Sequence, residues 1–202
     1  MPLNNHSPII LMYHGTPANK PTSQYSIQAR NFVHHLKYFK KKGWQTALIK
    51  DLHNPAPLPE KTVILTFDDG YADNFEGAFL PLLEYDMKAT WFITTDCIDK
   101  HALWMGAKTN ETKMLSGLQL REMTQQRMEI ASHTCSHPDL SIISYPKQLE
   151  ELRKSKEILE SLLSSNISSL AYPYGKYNQD SIKATEQASY NQACSTRSGF
   201  YQ

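Results

Sequence analysis

The sequence predicts an α/β fold built on parallel strands, and two observations carry that expectation. Seven short apolar runs rich in β-branched and aromatic residues fall at 8–13, 46–49, 63–67, 89–95, 128–132, 169–172 and 191–195. Between them lie five segments of helical pattern, at 27–42, 73–85, 118–126, 146–164 and 179–188. Strands that alternate with helices pair in parallel through right-handed crossovers. Seven such strands are compatible with an open doubly wound sheet or with a barrel. Both architectures gather functional residues at the C-terminal ends of the strands.

Taken in order, the first run closes on Leu11-Met12-Tyr13-His14-Gly15. The second precedes a segment, 51–61, that holds Pro55, Pro57 and Pro59 and reads as an extended surface linker. The third, Val63-Ile64-Leu65, continues without a polar break into Thr66-Phe67-Asp68-Asp69-Gly70. A long loop, 96–117, follows the fourth and is placed to border a cleft. The fifth leads straight into His133-Thr134-Cys135-Ser136-His137. The clearest helix, 146–164, comes next. Pro146 suits its first turn, where a missing N–H is no loss. Leu149, Leu152, Leu159, Leu162 and Leu163 form its apolar stripe, and Lys156 and Glu160 can pair across one turn of the exposed side. The sixth run ends in Ala171-Tyr172-Pro173-Tyr174-Gly175.

Composition narrows the function classes. The 202 residues fit a single domain, 1–202, and 40% hydrophobic content supplies a sizeable core. Lys and Arg number 21 against 20 Asp and Glu, so the chain lacks the basic footprint of a nucleic-acid or anionic-membrane binder. No stretch approaches the roughly 20 apolar residues that span a bilayer. No signal peptide is visible at the N-terminus, and three scattered cysteines make no disulfide framework, so a reducing, cytoplasmic setting is expected. Oligomeric state is not encoded in these features.

Two adjacent carboxylates at a strand end repel, and one pKa rises sharply unless a cation is near. A metal ion relieves Asp68 and Asp69: one carboxylate ligates while the other stays free as a base. Two histidines four apart, His133 and His137, can meet one cation from a helical turn or a tight loop. Two His and one carboxylate leave an open position, as catalytic zinc requires. That set is complete without Cys135, which reads as structural. The Pro173 and Gly175 turn can aim a backbone N–H into the mouth to stabilise an oxyanion. His14 ends the first strand, and its ordinary pKa near 6.5 suits general acid work. His6, His34, His35, His53 and His101 lack such a context and read as surface residues.

Together these motifs resemble the polysaccharide deacetylases of the NodB-homology group, carbohydrate esterase family 4, over nearly the whole chain. The resemblance implies a distorted (β/α) barrel of about seven strands. It makes Asp68 the base and Asp69, His133 and His137 the ligands of one divalent ion, zinc first, with cobalt or nickel as alternatives. Tyr174 supplies a groove wall and an oxyanion-hole amide, with Pro173 and Tyr172 beside it. Two departures stand out. The family's third motif has an Arg three residues before its Tyr, where this chain has Ala171, and its C-terminal Leu-x-His motif is missing. The opening Ile10-Leu11-Met12-Tyr13-His14 resembles the circularly permuted branch, which includes the poly-N-acetylglucosamine deacetylases. There an N-terminal His replaces the C-terminal one and the Arg is commonly lost. The implied activity is removal of N-acetyl groups from an N-acetylated glycan, with His14 as the acid. A lipid-linked amino sugar, a non-sugar amide, or a non-catalytic glycan-binding role are the alternatives. Relatives usually continue past this C-terminus, which leaves a shortened gene product, a fragment or a domain cut from a larger protein as the alternatives.

Overall fold

The computed structural model describes residues 8–21, 23–54, 56–106 and 112–198. All seven apolar runs are strands: β1 (Ile9–Tyr13), β2 (Gln45–Ala47), β3 (Thr62–Phe67), β4 (Thr90–Ile93), β5 (Glu129–Ser132), β6 (Ser169–Ala171) and β7 (Gln192–Cys194). Every pairing between them is parallel, in the order β1-β3-β4-β5-β6-β7, with β2 beside β3. β1 runs the length of β3, from Ile9 opposite Val63 to Tyr13 opposite Phe67. β2 and β4 divide the other edge of β3, β2 from Gln45 opposite Thr62 and β4 from Thr66 opposite Thr90. The sheet curls into a half-barrel, and among the described residues β1 and β7 form no ladder. The expected distorted barrel is therefore open along one seam.

The helices are α1 (Ala29–Lys42), α2 (Leu80–Glu84), α3 (Gly117–Gln125), α4 (Tyr145–Leu163) and α5 (Gln179–Gln187). Two expectations need correction. The predicted helix over 73–85 is a π-turn, Phe75–Phe79, running into the short α2. Pro81 is the physical reason. It has no N–H for the Gly77 carbonyl and its ring would strike it, so the turn before it widens. The linker over 51–61 is not wholly extended: Ile49–His53 is a 3₁₀ turn, closed by Leu48 N–H donating to the Asp51 carboxylate at 2.9 Å. Leu52 and Leu58 anchor the segment on the sheet.

Strand side chains alternate between two sides. Val63, Leu65, Phe67, Trp91, Ile93, Ile130 and Leu170 face the helices in one large cluster with Phe32, Phe79, Leu120 and Leu152. Ile64, Phe92, Ala131 and Ala171 face the concave side with Ala47 and Ile49. β3 is buried on both sides, as a central parallel strand should be. Glu129 sits buried at the N-terminal end of β5. It accepts from Thr90 Oγ1 at 2.7 Å, Ser169 Oγ at 2.6 Å and Lys50 N–H at 3.1 Å. Those bonds offset the cost of burying a charge and tie β4, β5, β6 and the segment after β2 together. The opposite, C-terminal ends of the strands are left to carry the site.

Candidate active site

Period two along each strand decides which residues meet. Tyr13 and Phe67 face the helices, so the next residues, His14 and Asp68, turn to the concave side. Ser132 bonds α4 through Ser155, so His133 turns the same way. Asp69 then reverses the chain in the left-handed region, φ 73°, with Gly70 following at φ 90°. Thr134, His137 and Tyr174 are also left-handed, at φ 66°, 63° and 59°. Such residues cost of order 1–3 kcal/mol each and persist where the surroundings fix them.

Asp69 Oδ1 lies 3.2 Å from His137 Nε2 and 3.5 Å from His133 Nε2. All three ligand atoms lie within 4.8 Å of one another, and all three residues are buried. This group could hold a metal ion, and its chemistry fits one. His133 Nδ1–H donates to the Ala171 carbonyl at 2.8 Å, which leaves Nε2 with a lone pair facing the carboxylate. His137 is oriented by rings instead: Trp104 stacks on it at 4.4 Å and Tyr174 meets it edge-on at 4.6 Å. Its buried Nδ1 has no partner, so Nε2 is the atom aimed at the cluster.

Burial alone would raise the Asp69 carboxyl, but hydrogen bonds and charge from His133 and His137 outweigh it and hold it well below the carboxylate range. Asp68 goes the other way. Burial raises its carboxyl, Asp69 adds to the rise, and the charges of His133 and His14 oppose it. Two neighbouring carboxylates are thus driven apart in proton affinity.

His14 is half-buried beside this pair, its ring 5.4 Å from Tyr25. Its carbonyl accepts from Asn74 Nδ2 at 2.8 Å. Asn74 also bonds Thr16 Oγ1 at 3.2 Å, and Thr16 N–H donates to Asp73 at 2.9 Å. Gly77 lets the π-turn press against this clamp, since a Cβ there would lie 1.9 Å from the Thr16 carbonyl oxygen.

Tyr174 is 54% exposed, its ring against His137. Pro173 is buried beneath it. Tyr172 does not line the groove: its ring stacks on Tyr177 and its hydroxyl pairs with Thr185 at 2.9 Å, on the helix side. Alternation is the reason, because Ala171 takes the concave side. Sequence reasoning missed Trp104, Asn74 and Tyr25. Trp104 comes from the loop read as bordering a cleft; the other two carry no local signal. Of the remaining histidines, His34 and His53 are exposed and His101 is half-buried. His35 is half-buried too and pairs with the Tyr13 hydroxyl at 2.9 Å, while His6 lies outside the described residues.

The sequence profile of the polysaccharide deacetylases matches residues 56–193. The chain belongs to the polysaccharide deacetylase family. This deacetylase-family chain is 30% identical to the Bacillus subtilis polysaccharide deacetylase YxkH, over 94% of its own length and 64% of the other's. It is 26% identical to the poly-β-1,6-N-acetyl-D-glucosamine N-deacetylase of Staphylococcus epidermidis, over 84% of its length and 61% of that enzyme's. It thus spans under two thirds of both. Among solved structures, the Streptococcus pyogenes deacetylase PplD, in complex with acetate, superposes with a TM-score of 0.83 at 30% identity, covering 96% of this chain and 85% of that one. IcaB from Ammonifex degensii shares the fold, with a TM-score of 0.83 at 23% identity, covering 95% and 84%.

Proposed function

We propose that the protein is a metal-dependent hydrolase that removes N-acetyl groups from an N-acetylated amino sugar in a polysaccharide. The convergence of Asp69, His133 and His137 beside Asp68 carries this reading. The likeness to enzymes named as deacetylases of N-acetylglucosamine polymers supports it. Asp69, His133 and His137 would hold the ion, zinc by its preference for two nitrogens and one oxygen, with cobalt or nickel as substitutes. The ion would supply Lewis-acid polarisation to the acetamide carbonyl and to water.

The remaining work falls to the chain's own groups. Asp68, raised by burial, accepts the proton of the attacking water. The Tyr174 backbone N–H is the donor assigned to the developing oxyanion. His14 protonates the nitrogen as the C–N bond breaks, because an amine leaves poorly without a proton. Acetate and a free amino sugar result. Exposed rings of Tyr25 and Tyr174, one against His14 and one against His137, offer apolar faces for sugars on either side of the scissile amide.

The test is acetate release from β-1,6-linked N-acetylglucosamine oligomers, with chitin oligomers in parallel. Chelation should abolish turnover and zinc should restore it. His133→Ala should lose the metal by elemental analysis. Turnover indifferent to chelation, or metal content unchanged in His133→Ala, would overturn the metal assignment.

A further inference from the structure

The loop that carries both histidines has a second support, on the side away from the cleft. Glu151 stands on α4, and its Oε2 accepts from the backbone N–H groups of Cys135 at 2.8 Å and Ser136 at 2.9 Å. Its Oε1 accepts from Ser136 Oγ at 2.7 Å. The Cys135 thiol donates to the Glu151 carbonyl at 3.4 Å. One helical turn on, Ser155 holds Ser132, whose Oγ accepts the Thr134 N–H at 3.2 Å. His137 N–H goes to Thr134 Oγ1 at 3.1 Å. On the other side, Thr95 and Asp96 N–H groups donate to the carbonyls of Thr134 and Cys135 at 3.2 and 3.0 Å.

Every N–H from Thr134 to His137 is therefore occupied, and one carboxylate takes two of the four. From α4, Glu151 is the side chain that hydrogen-bonds the two residues at the crown of the turn among the described residues. The turn needs that help, because Thr134 and His137 both sit at positive φ. Charge-assisted bonds from an ionised acceptor to backbone N–H groups are the strong kind. We infer that Glu151 is a positioning residue for the metal site: by pinning Cys135 and Ser136 it holds His137 in register with His133 and Asp69. The inference rests on the metal reading above. Glu151 touches neither ion nor substrate.

Cobalt(II) binding tests it, by competition with a chromophoric chelator and by the absorption spectrum of the bound ion. Asp at 151 keeps the charge but cannot reach the loop. Gln keeps the reach, with one oxygen for the two N–H groups and an NH₂ for Ser136 Oγ. Glu151→Asp and Glu151→Ala should bind cobalt on the order of 10–100-fold more weakly, with an altered spectrum. Glu151→Gln should stay much nearer to wild type. Ser136→Ala, at an exposed position, removes one bond and should give a smaller loss in the same direction. That variant decides the matter if the Glu151 changes prevent folding. Wild-type affinity and spectrum in Glu151→Asp or, where it alone folds, in Ser136→Ala would overturn the inference and leave the metal reading standing. A loss in Glu151→Gln with full binding in Glu151→Asp would also overturn it, assigning the effect to charge. A wild-type protein that binds no cobalt would sink both.

Discussion

Gly77→Ala tests whether the approach of the π-turn to β1's end sets the position of the proposed acid. A Cβ at residue 77 would lie 1.9 Å from the Thr16 carbonyl oxygen, 2.7 Å from its Oγ1 and 2.9 Å from its Cβ. Real contacts of a Cβ essentially never fall under 3.0 Å, so the two backbones must separate by at least 1.1 Å, the difference between 3.0 and 1.9. The tightest contact is to a backbone carbonyl, which cannot swing aside as a long side chain would. Thr16 is two residues past His14, and Asn74 fastens both to the same turn. The displacement therefore reaches His14. A misplacement of about 1 Å at a reacting group costs on the order of 10²-fold in rate. Overpacking of this kind destabilises by about 1–3 kcal/mol. In a chain of this size that lowers Tm by about 2–4 °C per kcal/mol. The expected outcome is a folded protein with full metal content, a modestly lower Tm and kcat for acetate release down about 100-fold. A lowered Tm with wild-type kcat would refute the positioning argument. Loss of metal in proportion to activity would move the effect from His14 to Asp69.

Two further outcomes follow from the same geometry. Asp68→Asn should keep its metal by elemental analysis and lose about 10²–10⁴-fold in turnover, as removal of a general base does; loss of the ion would mean that the two carboxylates share the ligand role. Alkali should destabilise the fold. Burial pushes the Cys194 thiol from 9.0 up to about 12 and the Tyr13 hydroxyl from 10.0 up to about 12. The native state keeps these protons where the unfolded chain has released them. Their stabilisation is complete below pH 9 and is lost as pH rises toward about 12. A Tm that stays level across that window would contradict the burial of both groups.

Much of this was legible in the sequence for a definite reason. The central strands β3 to β6 are buried on both sides and are written as apolar runs, and all seven runs became strands. Asp68, Asp69, His133 and His14 were legible because each follows its strand directly, where a parallel sheet gathers function. The misreadings are equally physical. Tyr172 was placed in the groove by its nearness to Tyr174, although period two sends it to the helices. The helix over 73–85 missed its π-turn because Pro81 acts on a carbonyl four residues earlier. Trp104 was signalled only through its loop, and Glu151 not at all, since each reaches the histidine loop from a distant segment and only the fold brings them near.

The absent arginine shows how the site accommodates a change that sequence alone left open. Ala171 occupies the position from which the family's Arg would orient the base. Its side chain packs into the concave cluster with Ile64, Phe92 and Ala131. A guanidinium threaded through that cluster would need a buried anion to offset its desolvation. In this chain the rise that burial imposes on Asp68 is opposed by His133 and His14. The Ala171 carbonyl accepts from His133 Nδ1–H at 2.8 Å, so the residue at this position orients a histidine of the cluster through its backbone. His14 comes from the opposite side, on β1, which pairs with β3 along its whole length and so delivers His14 level with Asp68. Asp68 N–H donates to the Tyr13 carbonyl at 2.9 Å and locks that register. That single backbone hydrogen bond ties together the strand ends that carry the proposed acid and the proposed base.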